Sequence, residues 1–343
     1  MRQLLNTLYV TTQGAYLARD GETVSVRVER ETRLRVPLHT LDGIVCLGQV
    51  SCSPPLMGLC AERGVSISFL TERGRFLARV QGPVSGNVLL RREQYRRADD
   101  EDVSSELARA VVIGKIANCR TVLLRAKREP RRGEDAVALA EVSHRLGKLT
   151  KELAAPVPPA VVRGREGEAA RLYFGVFDEL ITAQKDVFVF STRSRRPPLD
   201  NMNALLSFLY TLLMHDVASA LETVGLDPAV GYLHRDRSGR LGLALDMMEE
   251  FRPFLADRIA LTLVNRLQVR GNGFETTESG AVMMNDATRK EVLVAYQNRK
   301  QEEIQHPFLG EKVPIGLLPY VQALLLARHL RGDLDGYPPF IWR

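Results

Sequence analysis

The hydrophobic period of this chain changes once, at Gly82-Pro83 and Gly86. Before that point apolar residues come in short runs broken by turn residues, the pattern of strands. After it they recur at three- and four-residue spacing, the pattern of helices buried along one face. A chain written this way folds as α+β with its two classes segregated along the sequence. We expect an N-terminal β-sandwich domain over residues 1–85, followed by a larger all-α domain over 86–343. A length of 343 residues suits about two domains.

The strand candidates are Leu8 to Val10, Ala15 to Leu17, Val24 to Val28, Gly43 to Leu47, Val65 to Leu70 and Arg75 to Val80. Six short strands at this spacing suggest a small sandwich. Among them, Pro54 to Arg63 reads as a helix, with proline at its start and Gly64 just after its end. Beyond the boundary, the acids at Asp99 to Asp102 suit a helix N-terminus, and the basic turn at Lys127 to Gly133 ends that helix. A second helix is expected from Asp135 to Leu153. The longest clear helix is capped by Asp200 and ends near Thr223, with Gly225 at its C-terminal end. Two more are expected at 286–304 and 317–331. The Pro/Gly/aromatic segment Gly332 to Arg343 is expected to be a loosely ordered arm.

The positive charge is clustered. The net charge is +6 and the isoelectric point about 9.2, with basic groups at Arg91-Arg92 and Arg96-Arg97, Lys127 to Arg132, Arg163 with Arg165, and Arg193 with Arg195 and Arg196. Such clustering favours a polyanionic partner, and contacts of this kind reach mostly phosphate. Tyr95 is available to stack on a base, whereas Tyr173 and Tyr210 read as core. None of the four cysteines forms a CxxC pair, so neither a structural zinc nor a disulfide framework is expected, and the compartment is reducing. With no h-region at the N-terminus and no run of eighteen apolar residues, we expect no signal peptide, no membrane span and a cytoplasmic location. There is no G-x-S-x-G for a serine hydrolase, no P-loop and no G-x-G-x-x-G ahead of a helix.

Chemistry-bearing side chains gather in Gly225 to Arg258. A turn-rich spacer around Ser238-Gly239 separates His234 from Asp246 and Glu249. The two acids are three residues apart and share one face of a helix. The run from Phe251 reads as an amphipathic helix with Ile259, Leu261, Leu263 and Leu267 for a core. An imidazole with carboxylates is a ligand set for Mn²⁺, Mg²⁺ or Zn²⁺, and equally a solvated helix face or a local ion pair. A second stretch, Arg163 to Phe174, reads as a helix carrying Glu166 and Glu168 in its first turn. The remaining histidines, His39, His144, His215, His306 and His329, stand without acids at ligand spacing and read as structural.

Taken in order, EGEAARLYF, DNMNALLSFLYTLL and DPAVGYLHRDRSGRLGLALDMMEEFRPFLAD resemble the signature of the CRISPR-associated adaptation integrase, the universal first-numbered Cas endonuclease family. The family pattern is an EG-x-x-A helix, an N-A-L-L helix, a G-x-x-H turn and a D-x-x-(D/E) helix. The EFRP context resembles type I-C members. The resemblance implies a metal-dependent DNA endonuclease that inserts new spacers into a CRISPR array by attack of a 3′-hydroxyl on the repeat phosphodiester. It implies Glu166, His234 and Glu249 as ligands of Mg²⁺ or Mn²⁺, with Asp246 as the neighbouring acid. Many members have Asp where this chain has Glu249. It implies as partners prespacer and repeat DNA, a second copy of the chain joined through the N-terminal domain, a small second-numbered Cas protein and a fourth-numbered Cas nuclease. The alternatives are a non-catalytic DNA-binding scaffold and a repair nuclease for branched DNA.

Overall fold

The computed structural model describes residues 7–41, 43–71, 76–80, 88–128, 135–235 and 237–342. The boundary residues Gly82-Pro83 and Gly86, and residues 129–133 of the basic turn, lie outside these. The chain forms two compact units. One is Met1–Gly86 with Lys300–Glu302 and Pro314–Leu317; the other is Asn87–Arg299 with Glu303–Val313 and Leu318–Arg343.

The described residues of the first unit form eight strands and a helix: β1 Thr7–Val10, β2 Tyr16–Asp20, β3 Thr23–Val28, β4 Glu31–Pro37, β5 Gly43–Leu47, β6 Ser51–Cys52, α1 Pro54–Arg63, β7 Ser66–Leu70 and β8 Phe76–Val80. They make two four-stranded sheets, ordered β1-β5-β7-β8 and β4-β3-β2-β6. Leu17, Val24 and Val26 of one sheet share a core with Val10, Ile44, Cys46 and Ile67 of the other and with Leu56, Leu59 and Cys60 of α1. Neither sheet is purely antiparallel. In the first, α1 carries the chain from β5 over to β7, so those two strands run parallel. Helix α1 starts at Pro54-Pro55, with the Ser53 hydroxyl accepting from the Leu56 N–H, and stops at Gly64 with φ +69°.

Strand β4 is absent from the sequence reading for a definite reason. It follows β3 through a two-residue turn, Glu29-Arg30, whose φ values are +52° and +68°. Such a turn is normally written with Asn or Gly, and this one carries no turn signal. An extra residue between Val26 and Arg27's partners then shifts the register.

The second unit is built from α2 Val88–Asp99, α3 Glu101–Lys127, α4 Asp135–Glu152, α5 Pro159–Gly175, α6 Asn201–Thr223, α7 Gly242–Met248, α8 Arg258–Asn265, α9 Asp286–Gln301 and α10 Leu318–Arg331. Asp100 caps α3 by accepting from the N–H groups of Asp102 and Val103, and Asp200 caps α6 by accepting from Asn203 at 2.7 Å. Among the described residues, α6 is long and apolar enough to cross a membrane. Here its Leu205, Leu206, Leu209 and Leu213 are buried. Helix α3 packs against α4 and α5, and α6 against α7 and α10.

The region expected to be all-α also carries two two-stranded sheets, Phe274–Thr276 with Val282–Met284 and Glu303–Gln305 with Lys312–Pro314, so the helix expected over 286–304 ends at Gln301. Three further expectations change. Helix α5 begins at Pro159, since proline suits a first helical position, so Glu166 and Glu168 sit in mid-helix instead of its first turn. The helix expected from Phe251 is divided. Pro253 lacks an N–H, and Arg252–Asp257 winds as a π-helix before α8 takes over; Leu267, expected in the core, is half exposed at φ +58°. The C-terminal segment is not a loose arm. Tyr337, Phe340 and Trp342 are buried, Phe340 packs on Phe251 and Phe254, and the Trp342 N–H reaches Asn118 Oδ1 at 2.7 Å. Its aromatic rings bury enough surface to order the backbone that carries them.

Candidate active site

The turn that carries His234 is folded around one buried carboxylate. Asp246, on α7, accepts from the backbone N–H groups of Tyr232 at 2.6 Å, Leu233 at 2.9 Å and His234 at 2.9 Å. The His234 ring adds Nδ1 at 2.6 Å. Facing a carboxylate acceptor, Nδ1 carries the proton, which leaves Nε2 as the basic nitrogen. Two glycines make this crossing possible. A Cβ on Gly231 would lie 2.6 Å from the Gly242 carbonyl carbon and 2.9 Å from Asp246 Oδ2; one on Gly242 would lie 2.7 Å from the carbonyl oxygens of Ala229 and His234.

The same loop is tied to the start of the unit. Gln94 of α2 accepts from the Asp227 N–H at 2.9 Å and donates to the carbonyls of Asp227 at 2.8 Å and Val230 at 3.2 Å. Arg91 donates to the Gly225 carbonyl, and Ser104 of α3 to that of Tyr232.

Glu249 follows α7 directly and is buried, yet its partners differ from those of Asp246. Arg252 Nη1 lies 2.7 Å from Oε1, and Lys115 Nζ of α3 lies 2.7 Å from Oε2. Burial alone would raise the Glu249 pKa. The Arg252 and Lys115 charges outweigh it, with a smaller pull from His234, and hold the carboxyl at about 2. The Lys115 ammonium is also ion-paired with Glu166, which reaches in from α5. Burial works against the charge on Lys115, but Glu249 and Glu166 overcome it and raise its pKa. Glu166 and Glu249, 83 positions apart in the numbering, are therefore joined through one ammonium group.

Behind this cluster lies a third buried acid. Asp257 accepts from Tyr210 at 2.7 Å and Tyr173 at 3.1 Å. Burial pushes it up to about 6 against the pull of those donors and of Arg193 and Arg252. Arg252 lies over the Tyr210 ring at 4.9 Å, so one guanidinium links Glu249 to the tyrosine.

A profile of the CRISPR-associated protein Cas1 family matches residues 8–298. The chain belongs to the Cas1 family. It is 56% identical over 343 residues to CRISPR-associated endonuclease Cas1 1 of Chlorobaculum tepidum, each chain covering the other fully. It is 34% identical over 339 residues to a CRISPR-associated exonuclease Cas4/endonuclease Cas1 fusion of Geobacter sulfurreducens, covering 98% of this chain and 60% of the fusion. Its fold is that of a Cas1 protein from Thermotoga maritima, with a TM-score of 0.81 at 24% identity over 96% of this chain and 97% of that one.

In this Cas1 chain the residues named from the sequence divide into groups. Glu166 and Glu249 meet at Lys115, while His234 and Asp246 meet each other. Among the described residues, no three His, Cys, Asp or Glu side chains stand close enough together to hold a metal ion. The donor chemistry still fits a hard divalent cation. Two carboxylates already close on a positive charge, Glu249 Oε2 is buried with no hydrogen-bond donor in good geometry, and His234 is set by Asp246 in the manner of a metal-binding imidazole.

The basic residues also divide. Arg195, Arg196 and Arg163 are exposed. Arg165 bridges Glu152 at 2.8 Å and Glu168 at 3.0 Å. Arg193 points inward, donating to Asn203 Oδ1 at 2.6 Å and Ser207 Oγ at 3.1 Å beside the Tyr210 ring. Tyr173 and Tyr210 are core residues. His306, bonded to Gln322, and His329, bonded to the Leu334 carbonyl, are buried structural side chains. Motif spacing in the sequence does not mark Lys115, Arg252 or Asp257. A lysine among the apolar positions Val111, Val112 and Ile116 was the available signal, since burial of an ammonium demands partners.

Proposed function

We propose that this chain is a metal-dependent DNA endonuclease and integrase that inserts new spacers into a CRISPR array, a 3′-hydroxyl attacking the repeat phosphodiester. The observation that carries the reading is Glu249: a fully buried carboxylate kept ionised and drawn to Glu166 by a shared cation. Glu166, Glu249 and His234 Nε2 would hold Mg²⁺ or Mn²⁺. When bound, such an ion stabilises charge on the phosphoryl oxygens and lowers the pKa of an attacking oxygen.

The protein's own groups have separable tasks. Asp246 fixes the His234 tautomer and shapes its turn. Arg252 keeps Glu249 anionic while lying over the Tyr210 ring, whose hydroxyl is bonded to Asp257. Arg195 and Arg196 are free to meet DNA phosphates. The fusion of a Cas4 exonuclease to a Cas1 relative supports a fourth-numbered partner. The family resemblance supports a homodimer through the strand-rich unit, a second-numbered Cas partner, a type I-C-like system and a cytoplasmic site of action.

The test is strand transfer of a short duplex into a repeat-bearing plasmid with Mg²⁺, with Mn²⁺ and with EDTA. Glu166→Ala and His234→Ala should each abolish transfer while circular dichroism melts stay cooperative. Full transfer by either variant, or by the wild type in EDTA, would overturn the assignment.

A further inference from the structure

Lys115 stands where a charge is costly. Its helix neighbours Val111, Val112, Ile116 and Cys119 are buried, and so is its own side chain. Glu249 and Glu166 both lie against its ammonium. With Arg252 on the far oxygen of Glu249, the group holds two carboxylates against two fixed cations, so it is neutral as it stands. A divalent ion entering between Glu166 and Glu249 would bring that sum to plus two in a buried space. Ions of like sign a few ångströms apart in such surroundings repel strongly. Arg252 is pinned over Tyr210, whereas lysine ends in a compact ammonium on a flexible four-carbon stem. The contact to Glu249 Oε2 is close but outside hydrogen-bonding geometry, so it rests on charge more than on a directed bond.

We propose that Lys115 is a built-in competitor for the divalent cation. Its ammonium holds the place between Glu166 and Glu249 in the metal-free protein and leaves as the ion enters. The residue therefore keeps two facing carboxylates tolerable without metal and weakens metal affinity by the cost of its own displacement. The inference rests on the reading of Glu166 and Glu249 as metal ligands.

Calorimetric titration of the full chain with Mn²⁺ tests it, with the wild type, Lys115→Met, Lys115→Gln, Lys115→Arg and Glu249→Gln in parallel and melting curves taken in EDTA and in Mn²⁺. Lys115→Met and Lys115→Gln should bind Mn²⁺ about tenfold or more tighter than the wild type. Both should melt lower than the wild type in EDTA and recover in Mn²⁺. Lys115→Arg, which keeps the charge, should stay near the wild-type affinity. A merely structural lysine would give neutral variants that bind Mn²⁺ equally or more weakly, and that result overturns the proposal. Wild-type Mn²⁺ binding that Glu249→Gln leaves intact overturns the ligand assignment beneath it, and the proposal with it.

Discussion

Asp246 and Glu249 are three residues apart and do different work. Asp246 uses both oxygens on the turn at 232–234, so little of its acceptor capacity is left for an ion. The Glu249 side chain instead meets two cations, Lys115 and Arg252. Asp246→Asn would set an amide N–H₂ against N–H donors that need an acceptor, at a stability cost of about 1–3 kcal/mol. It should keep measurable Mn²⁺ binding, weakened about 10–100-fold as expected for a partner of a ligand. Glu249→Gln should lose far more affinity, and it also leaves the buried Lys115 and Arg252 charges without their shared carboxylate. Mn²⁺ calorimetry with melting curves on both variants separates these roles; complete loss in Asp246→Asn with retention in Glu249→Gln would reverse them. At this scale the sequence made the His234, Asp246 and Glu249 neighbourhood legible, because spacing alone brings them near. It left Lys115 unmarked, because its meaning comes from α3 approaching Glu249, and a pairing across 134 positions has no local trace; Arg252, three residues from Glu249, lay within local reach but shows its role only once Glu249 is buried.

Elements were legible where caps and breakers are written in the chain and illegible where tertiary contacts supply the order. Ser53 to Gly64 and Asp200 to Thr223 carry their own signals. The C-terminal segment does not: its order comes from the burial of its aromatic rings and from Glu250, which accepts from the Phe340 N–H at 2.7 Å, Tyr337 Oη at 2.8 Å and, on α10, Gln322 Nε2 at 3.1 Å. Burial pushes the Glu250 carboxyl up to about 8, and those three donors pull it back only in part. The folded chain thus holds a proton that the unfolded chain, at an ordinary carboxylate pKa, has already released. The stabilisation is complete at low pH, falls as pH climbs from about 4.5 towards 8, and is then spent. The loss is on the order of a few kcal/mol. Glu250→Gln, neutral at every pH and able to accept the Phe340 N–H, should flatten this fall. Urea midpoints at several pH values between 5 and 8 read it, and an unchanged slope in the variant would exclude Glu250 as its source.

For the molecule as a whole, a net charge of +6 predicts DNA binding that weakens steeply with salt and depends little on sequence. The structure sharpens which arginines matter. Neutralising the exposed Arg195 and Arg196 together should lower the slope of log K against log salt by about two. Arg193→Ala should leave the slope nearly unchanged and lower the melting temperature, since Asn203 and Ser207 lose their donor. Fluorescence anisotropy on an unrelated duplex at several salt concentrations gives the slopes, and a flat titration would remove the electrostatic account.

Gln94 gives the histidine loop a second anchor about 130 positions upstream, at Asp227 and Val230. The shortest contiguous peptide that contains the loop's residues is therefore not the shortest piece that contains its shape. Residues 225–249 grafted onto a foreign scaffold would bring His234, Asp246 and both glycines and leave behind the amide that holds the backbone from the other side. A minimised version of this protein has to begin no later than α2.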